Sequence, residues 1–232
     1  AQYSKHPHNQ ELVRKLKINI GGISKLSKER LLDELKKITQ LEILEKIASD
    51  KISSELLQII FSELKNIKIF SKLSPIKKEI IKKSDFIFLL SLMIIDKTDN
   101  ADYFLYKFNI SKKNQKRIKI INNFFKEKNL QKNFTKSNLN NIFYYEGKQV
   151  INDILNYRFI TSKKNTQEIK KLIDFYKNKL IPKMPISAEF LMKKFNIPEG
   201  KQMGIKLKII EKEWVKNNFQ ISNKQVNQIV ND

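Results

Sequence analysis

A chain of 232 residues that is 41% apolar and 10% aromatic can bury a core, as one elongated domain or two small ones, which excludes a disordered chain. Its 46 Lys and Arg against 24 Asp and Glu leave a formal charge of +22, so an anionic partner is expected, and nucleic acid is the usual one. With no cysteine, disulfides and thiolate metal sites are excluded, and the longest apolar run, 86–95, is well short of the ~20 residues a bilayer requires.

Five glycines and five prolines are too few for the turns of a β-sandwich, and the apolar spacing is helical throughout. Residues 11–20 carry Leu12, Val13, Leu16, Ile18 and Ile20 at amphipathic spacing, and Gly21-Gly22 predicts the end of that helix. Ser27 suits the N-cap of the next helix, with Glu29 in its first turn and Leu31, Leu32, Leu35 and Ile38 on one face. Apolar helices are expected over 41–47 and 56–67, and Pro75 after Ser74 marks a helix start. Residues 85–95 are apolar nearly all round, which predicts a buried central helix. A short helix is expected over 102–108, then one capped by Ser111 with Ile118, Ile121, Phe124 and Phe125 on its inner face. Residues 139–145 and 147–159 are expected to form a helical hairpin, followed by a polar-faced helix over 166–180. Pro182 and Pro185 make the clearest linker, because proline forbids helix continuation. Beyond it Ser187 caps a short helix, a second runs over 201–217, and Ser222 starts the last. The fold class is therefore all-α, an elongated set of helices with no strand signal and no repeat of fixed period.

The densest charge is Lys112, Lys113, Lys116, Arg117 and Lys119, with no acid before Glu127. Spacings of three and four put Lys112, Lys116 and Lys119 on one helical face. Like charges so placed repel, and phosphate would offset the repulsion. A second group is Lys163, Lys164, Lys170 and Lys171, interrupted by Glu168. Tyr144-Tyr145 and Tyr157-Arg158 have rings able to stack on bases, although packing between helices is the commoner use. No glycine-rich phosphate loop, nucleophile elbow or Asp-x-Asp pair occurs, so no catalytic residue and no metal ligand is assigned. Asp96 and Asp99 read as helix-end and loop residues, and His6 and His8 as part of a mobile N-terminal segment.

Several segments, in order, resemble the C-terminal half of the class II tRNA nucleotidyltransferases (CCA-adding enzymes) and the related bacterial poly(A) polymerases. Ala1-Gln-Tyr3-Ser looks like the end of a first neck helix. Leu26-Ser27-Lys-Glu29-Arg30-Leu-Leu-Asp-Glu34 is similar to the neck motif. Phe108-Asn-Ile110-Ser111 and Ile142-Phe-Tyr-Tyr-Glu-Gly147 are similar to body segments. Pro185-Ile-Ser187, Ile197-Pro198-Glu-Gly200-x-x-x-Gly204 and Trp214 are similar to the tail, which departs from the family at Ala188-Glu189-Phe190, where Gly-Lys-Asp is usual.

The resemblance implies neck helices over 1–66, a helical body over 67–181 and a helical tail over 182–232. It implies a nucleotidyltransferase head upstream of Ala1 that holds Mg²⁺ and CTP or ATP, with no cofactor in this chain, which alone would be inactive. The expected partners are that head and tRNA or another structured RNA, in a cytoplasmic setting, with no membrane. Lys201 and Lys206 beside the start of a tail helix would add charge to its phosphate-favouring end. Glu29, Arg30 and Glu34 would brace neighbouring helices by ion pairs. Gly200 and Gly204 would let a helix face approach another backbone, with Trp214 in the tail packing. A subunit of a split enzyme, a helical protein–protein adaptor and a membrane-surface protein stay open as alternatives.

Overall fold

Local caps bound several helices of this chain, and tertiary hydrogen bonds hold the segment that follows one of them. The computed structural model describes residues 10–126, 130–162 and 166–231. Ala1–Ser4, His6, His8, Lys163 and Lys164 lie outside the described residues. Helix α1 (Gln10–Ile18) passes into a 3-10 segment, Asn19–Lys25, that runs through Gly21-Gly22 instead of ending there. Helix α2 (Lys28–Lys37) is capped by Ser27, whose hydroxyl accepts from the Arg30 N–H at 3.2 Å. Helix α3 (Leu41–Ser49) leads to α4 (Lys51–Ile60), capped by Asp50 accepting from Ser53 N–H at 2.8 Å. The helix expected over 56–67 does not continue past Phe61. Asn66 explains the break. Its N–H donates to Met93 O at 3.0 Å and its side-chain amide to Ile95 O at 2.6 Å, and Ile67–Phe70 then forms a 3-10 turn.

Helix α5 (Pro75–Lys83) starts at its proline, and α6 (Phe86–Ile94) follows. No residue from 87 to 95 is more than 8% exposed, so α6 is the buried central helix expected from its sequence. Each large apolar side chain there contributes about 2 kcal/mol by burial. Asp85 caps α6 by accepting from Phe88 N–H at 2.9 Å, and the buried Ser91 hydroxyl donates to Ile87 O at 2.8 Å. Helices α7 (Asn100–Lys107) and α8 (Lys112–Lys126) pack against α6 and each other. Ile118, Ile121, Phe124 and Phe125 form the buried face of α8. Phe104 and Phe108, with ring centroids 4.5 Å apart, close the core beside Phe61.

Helix α9 (Leu130–Asn133) is one turn. Helix α10 (Lys136–Thr161) contains Gly147 at φ 85°, a conformation that favours glycine. Lys136–Thr161 is therefore two helices that meet at that one non-helical residue, at the boundary expected between 139–145 and 147–159. Helix α11 (Thr166–Asn178) follows. The chain packs as two units, residues 1–128 with 153–169, and residues 129–152 with 170–232.

The second unit also contains α12 (Ala188–Phe195), α13 (Lys201–Lys216) and α14 (Asn223–Asn231). Ser187 caps α12 by accepting from Phe190 N–H at 3.2 Å. Leu191, Met203, Ile210, Val226 and Val230 form one apolar cluster among these helices. Buried Asn140 ties together a polar knot. It donates to Asn218 Oδ1 at 2.9 Å and accepts from Tyr176 at 3.0 Å and Lys179 at 2.9 Å. The Lys179 ammonium also lies 4.6 Å from the Phe219 ring centroid and 4.9 Å from that of Phe175. Among the described residues there is no strand, and no helix is long and apolar enough to cross a membrane.

Candidate nucleic-acid interface

Helix α8 sorts its own side chains. Positions 118, 121, 124 and 125 face the core, which leaves Lys112, Lys113, Lys116 and Lys119 exposed. Among the described residues, Lys112, Lys113 and Lys119 have no ion-pair partner, and the first turn of α8 carries no acid. Lys112 and Lys113 therefore sit at the end of the helix where the peptide dipoles are already positive. Each such placement costs roughly 0.3–1 kcal/mol when nothing negative is near. A phosphate seated there would reverse the sign of that interaction.

Arg117 does not share this face. Its side chain is only 11% exposed, and Nε and Nη2 reach the two carboxylate oxygens of Asp153 at 2.5 and 3.0 Å. Nη1 donates to Asp85 at 2.6 Å. Position 117 lies between the outer and inner faces of the helix, and two acids remote in sequence draw it inward. Burial opposes the charge on Arg117, but the bonds to Asp153 and Asp85 outweigh it and raise the pKa. Burial likewise pushes the Asp85 carboxyl up, and the bonds from Arg117 and the Phe88 N–H override this and hold it below the usual aspartate range. Arg117 is thus a pin between α8, α10 and the start of α6.

The other candidates separate in the same way. Lys201 opens α13 and is exposed. Lys206 turns to the end of α14, where its ammonium donates to Val230 O at 2.7 Å and Ile229 O at 3.3 Å. Lys77, not singled out from the sequence, closes the end of α10 by donating to Ile160 O at 2.8 Å and Ser162 O at 3.2 Å. Glu34 pairs with Lys37 of its own helix at 2.7 Å, not with a neighbouring helix. Glu29 and Arg30 are exposed, and Glu29 lines a cleft that Lys119 also lines.

Gly200 precedes α13 at φ 150°, which suits glycine. A Cβ built at Gly200 or Gly204 would meet no heavy atom within 4 Å, so neither serves a close approach of two backbones. Trp214 is buried, with its ring 5.4 Å from Tyr144 and 5.1 Å from Phe219. The Tyr144 hydroxyl donates to Glu211 at 2.8 Å, whereas the Tyr145 ring is half exposed. Tyr157 is buried and its hydroxyl donates to Ile95 O at 3.0 Å, which is a packing role. Asp99 pairs with Lys126, and Asp96 accepts from the Thr98 hydroxyl at 2.6 Å. Among the described residues, no group of three or more His, Asp or Glu is placed to hold a metal ion.

No curated protein matches the chain at a significant level. The family model for tRNA nucleotidyltransferase domain 2 matches residues 79–229, well over half of the chain, from α5 through α14. The chain therefore belongs to that family.

Proposed function

We propose that this member of the tRNA nucleotidyltransferase domain 2 family is the RNA-gripping part of a tRNA nucleotidyltransferase or poly(A) polymerase. It holds the acceptor arm and elbow of a tRNA by its phosphates, and it supports the nucleotide pocket of a nucleotidyltransferase head, carried upstream in the same chain or on another subunit. In this reading residues 1–66, 67–181 and 182–232 act as neck, body and tail. The reaction, nucleotidyl transfer from CTP or ATP to an RNA 3′ hydroxyl, belongs to the head, which also supplies the Mg²⁺ site.

The observation that supports this reading is the exposed lysine face at the N-terminal end of α8, which has no acid in its first turn. A polypeptide gains no stability from such an arrangement, whereas a polyphosphate partner gains affinity from it. Distributed lysines suit a substrate read by shape and backbone, as folded RNA is.

The test is a salt-titrated binding curve for a tRNA lacking its CCA end, beside an unstructured RNA of equal length. The expected result is tighter binding to the tRNA, falling by roughly 10³-fold between about 50 and 200 mM salt if about six phosphates are neutralised. Equal binding to both RNAs would favour a poly(A)-type role. Absent or salt-insensitive binding would overturn the reading and favour a protein adaptor.

A further inference from the structure

The exposed tyrosines of α7 stand apart from the rest of that helix. Phe104, Leu105 and Phe108 are buried, yet Tyr103 is 61% exposed and Tyr106 is 89% exposed. Three residues apart, the two phenols share one helical face. Tyr106 also stands at a cleft of about 570 Å³ in the first unit, whose walls include Lys28, Glu29, Asp102, Asn109 and Lys119. That volume is within the range of small-ligand sites. Lys107 adds its stem but not a spare charge, because its ammonium is held by buried Glu63 at 2.9 Å.

We propose that this cleft takes one unstacked nucleotide of a single-stranded RNA segment, with its base on the Tyr106 ring and its phosphates drawn by Lys28 and Lys119. The proposal rests on the RNA-gripping reading above and adds a subsite to it. Tyr106 offers a flat ring with almost no protein contact, which is what a base face stacks on. The lysines supply cations that a nucleotide's phosphates need, and Lys119 continues the α8 face into the cleft. Glu29 and Asp102 also line the cleft, where their carboxylates can accept hydrogen bonds from a ribose hydroxyl or an exocyclic amine. A base within a duplex has both faces covered, so the site selects unpaired RNA.

The experiment uses the full chain and a single-stranded hexanucleotide carrying a fluorescent adenine analogue, beside a blunt duplex of the same sequence and the tRNA of the salt titration. Tyr106 is exposed enough for its replacement to leave the fold intact, and a thermal melt checks this. Tyr106→Ala is expected to weaken hexanucleotide binding about tenfold and to abolish stacking-dependent quenching. Tyr106→Phe keeps both, and the salt slope for tRNA stays unchanged. Lys28→Gln lowers the hexanucleotide salt slope by about 0.7. If Tyr106→Ala binds the hexanucleotide like the unmodified chain while tRNA binding stays steep, the subsite is wrong and the RNA-gripping reading stands. Equal, Tyr106-dependent binding of duplex and single strand also overturns the subsite. If neither the tRNA nor the hexanucleotide binds, both proposals fall.

Discussion

The guanidinium of Arg117 meets the carboxylate of Asp153 through two nitrogens, Nε at 2.5 Å and Nη2 at 3.0 Å, in a setting where Asp153 is only 4% exposed. Such a fork fixes the rotation of α8 about its own axis, since the planar group has one productive orientation. The lysine face is presented outward by the buried apolar stripe of α8, with or without the fork. With both carboxylates engaged, Arg117 has a packing role, and its charge is not among the phosphate contacts of the proposed interface.

Arg117→Gln should lower stability by about 3 kcal/mol, because it leaves Asp153 buried without a cation. Denaturant unfolding checks the loss. With the folded fraction held equal by working well below the melting temperature, the salt slope for tRNA should be unchanged. A slope reduced by one phosphate would mean that Arg117 contacts RNA directly.

Alkali should loosen the second unit. Tyr144 is pushed up to about 12, first by burial and then by the Glu211 carboxylate it donates to, and burial alone pushes Tyr176 to about 12. An unfolded tyrosine titrates near about 10, so the folded state favours the neutral phenol. The stabilisation is complete below that value and is lost as pH rises through about 12. Tyrosinate absorbance against pH should show late-titrating groups whose ionisation coincides with loss of tryptophan signal from Trp214. Tyr144→Phe should move that loss to higher pH. A loss at the same pH would assign it to other groups.

The residues legible from sequence are those whose neighbours are local. The α6 core, the Ser27 and Ser187 caps and the inner stripe of α8 each follow from spacings of one to four residues, and all are found. The residues that escaped are those decided by remote partners. Arg117 looks like one more exposed cation until Asp85 and Asp153 arrive from other helices. Asn66 looks like a helical residue until the backbone of Met93 and Ile95 claims it. Tyr106 did leave a signal, since Tyr103-x-x-Tyr106 puts two polar-tipped rings opposite Phe104, Leu105 and Phe108. The cleft beside it depends on how α2 meets α7 and α8, which no local spacing encodes.

Lys206 illustrates the same distinction in the second unit. Its ammonium donates to Ile229 O and Val230 O, the last carbonyls of α14, where a cation also suits the helix dipole. Lys206→Met should cost about 1 kcal/mol, expressed as faster amide exchange within α14. Lys201→Gln, at an exposed position on the same helix, should leave α14 exchange unchanged. If Lys206→Met weakens RNA binding without loosening α14, the lysine's role is in contact with RNA.

The lysine face separates function from stability most sharply. Replacing Lys112, Lys113 and Lys119 by Gln removes three like charges, two of them in the first turn of α8, so the chain alone should melt no lower and is expected to melt slightly higher. A surface kept for folding would show the opposite. Binding to tRNA should weaken, and its dependence on salt should flatten by about 0.7–0.9 per lysine that meets a phosphate, or by about two to three in the logarithmic slope if all three do. Circular dichroism should be unchanged, because Ile118, Ile121, Phe124 and Phe125 hold the helix from its other side. An unchanged slope would remove α8 from the interface and shift the search for the phosphate contacts to Lys201 and the other exposed lysines of the second unit. A lowered melting temperature together with a flattened slope would mean that the lysines stabilise the fold as well, and that the repulsion at the head of α8 is offset within the protein.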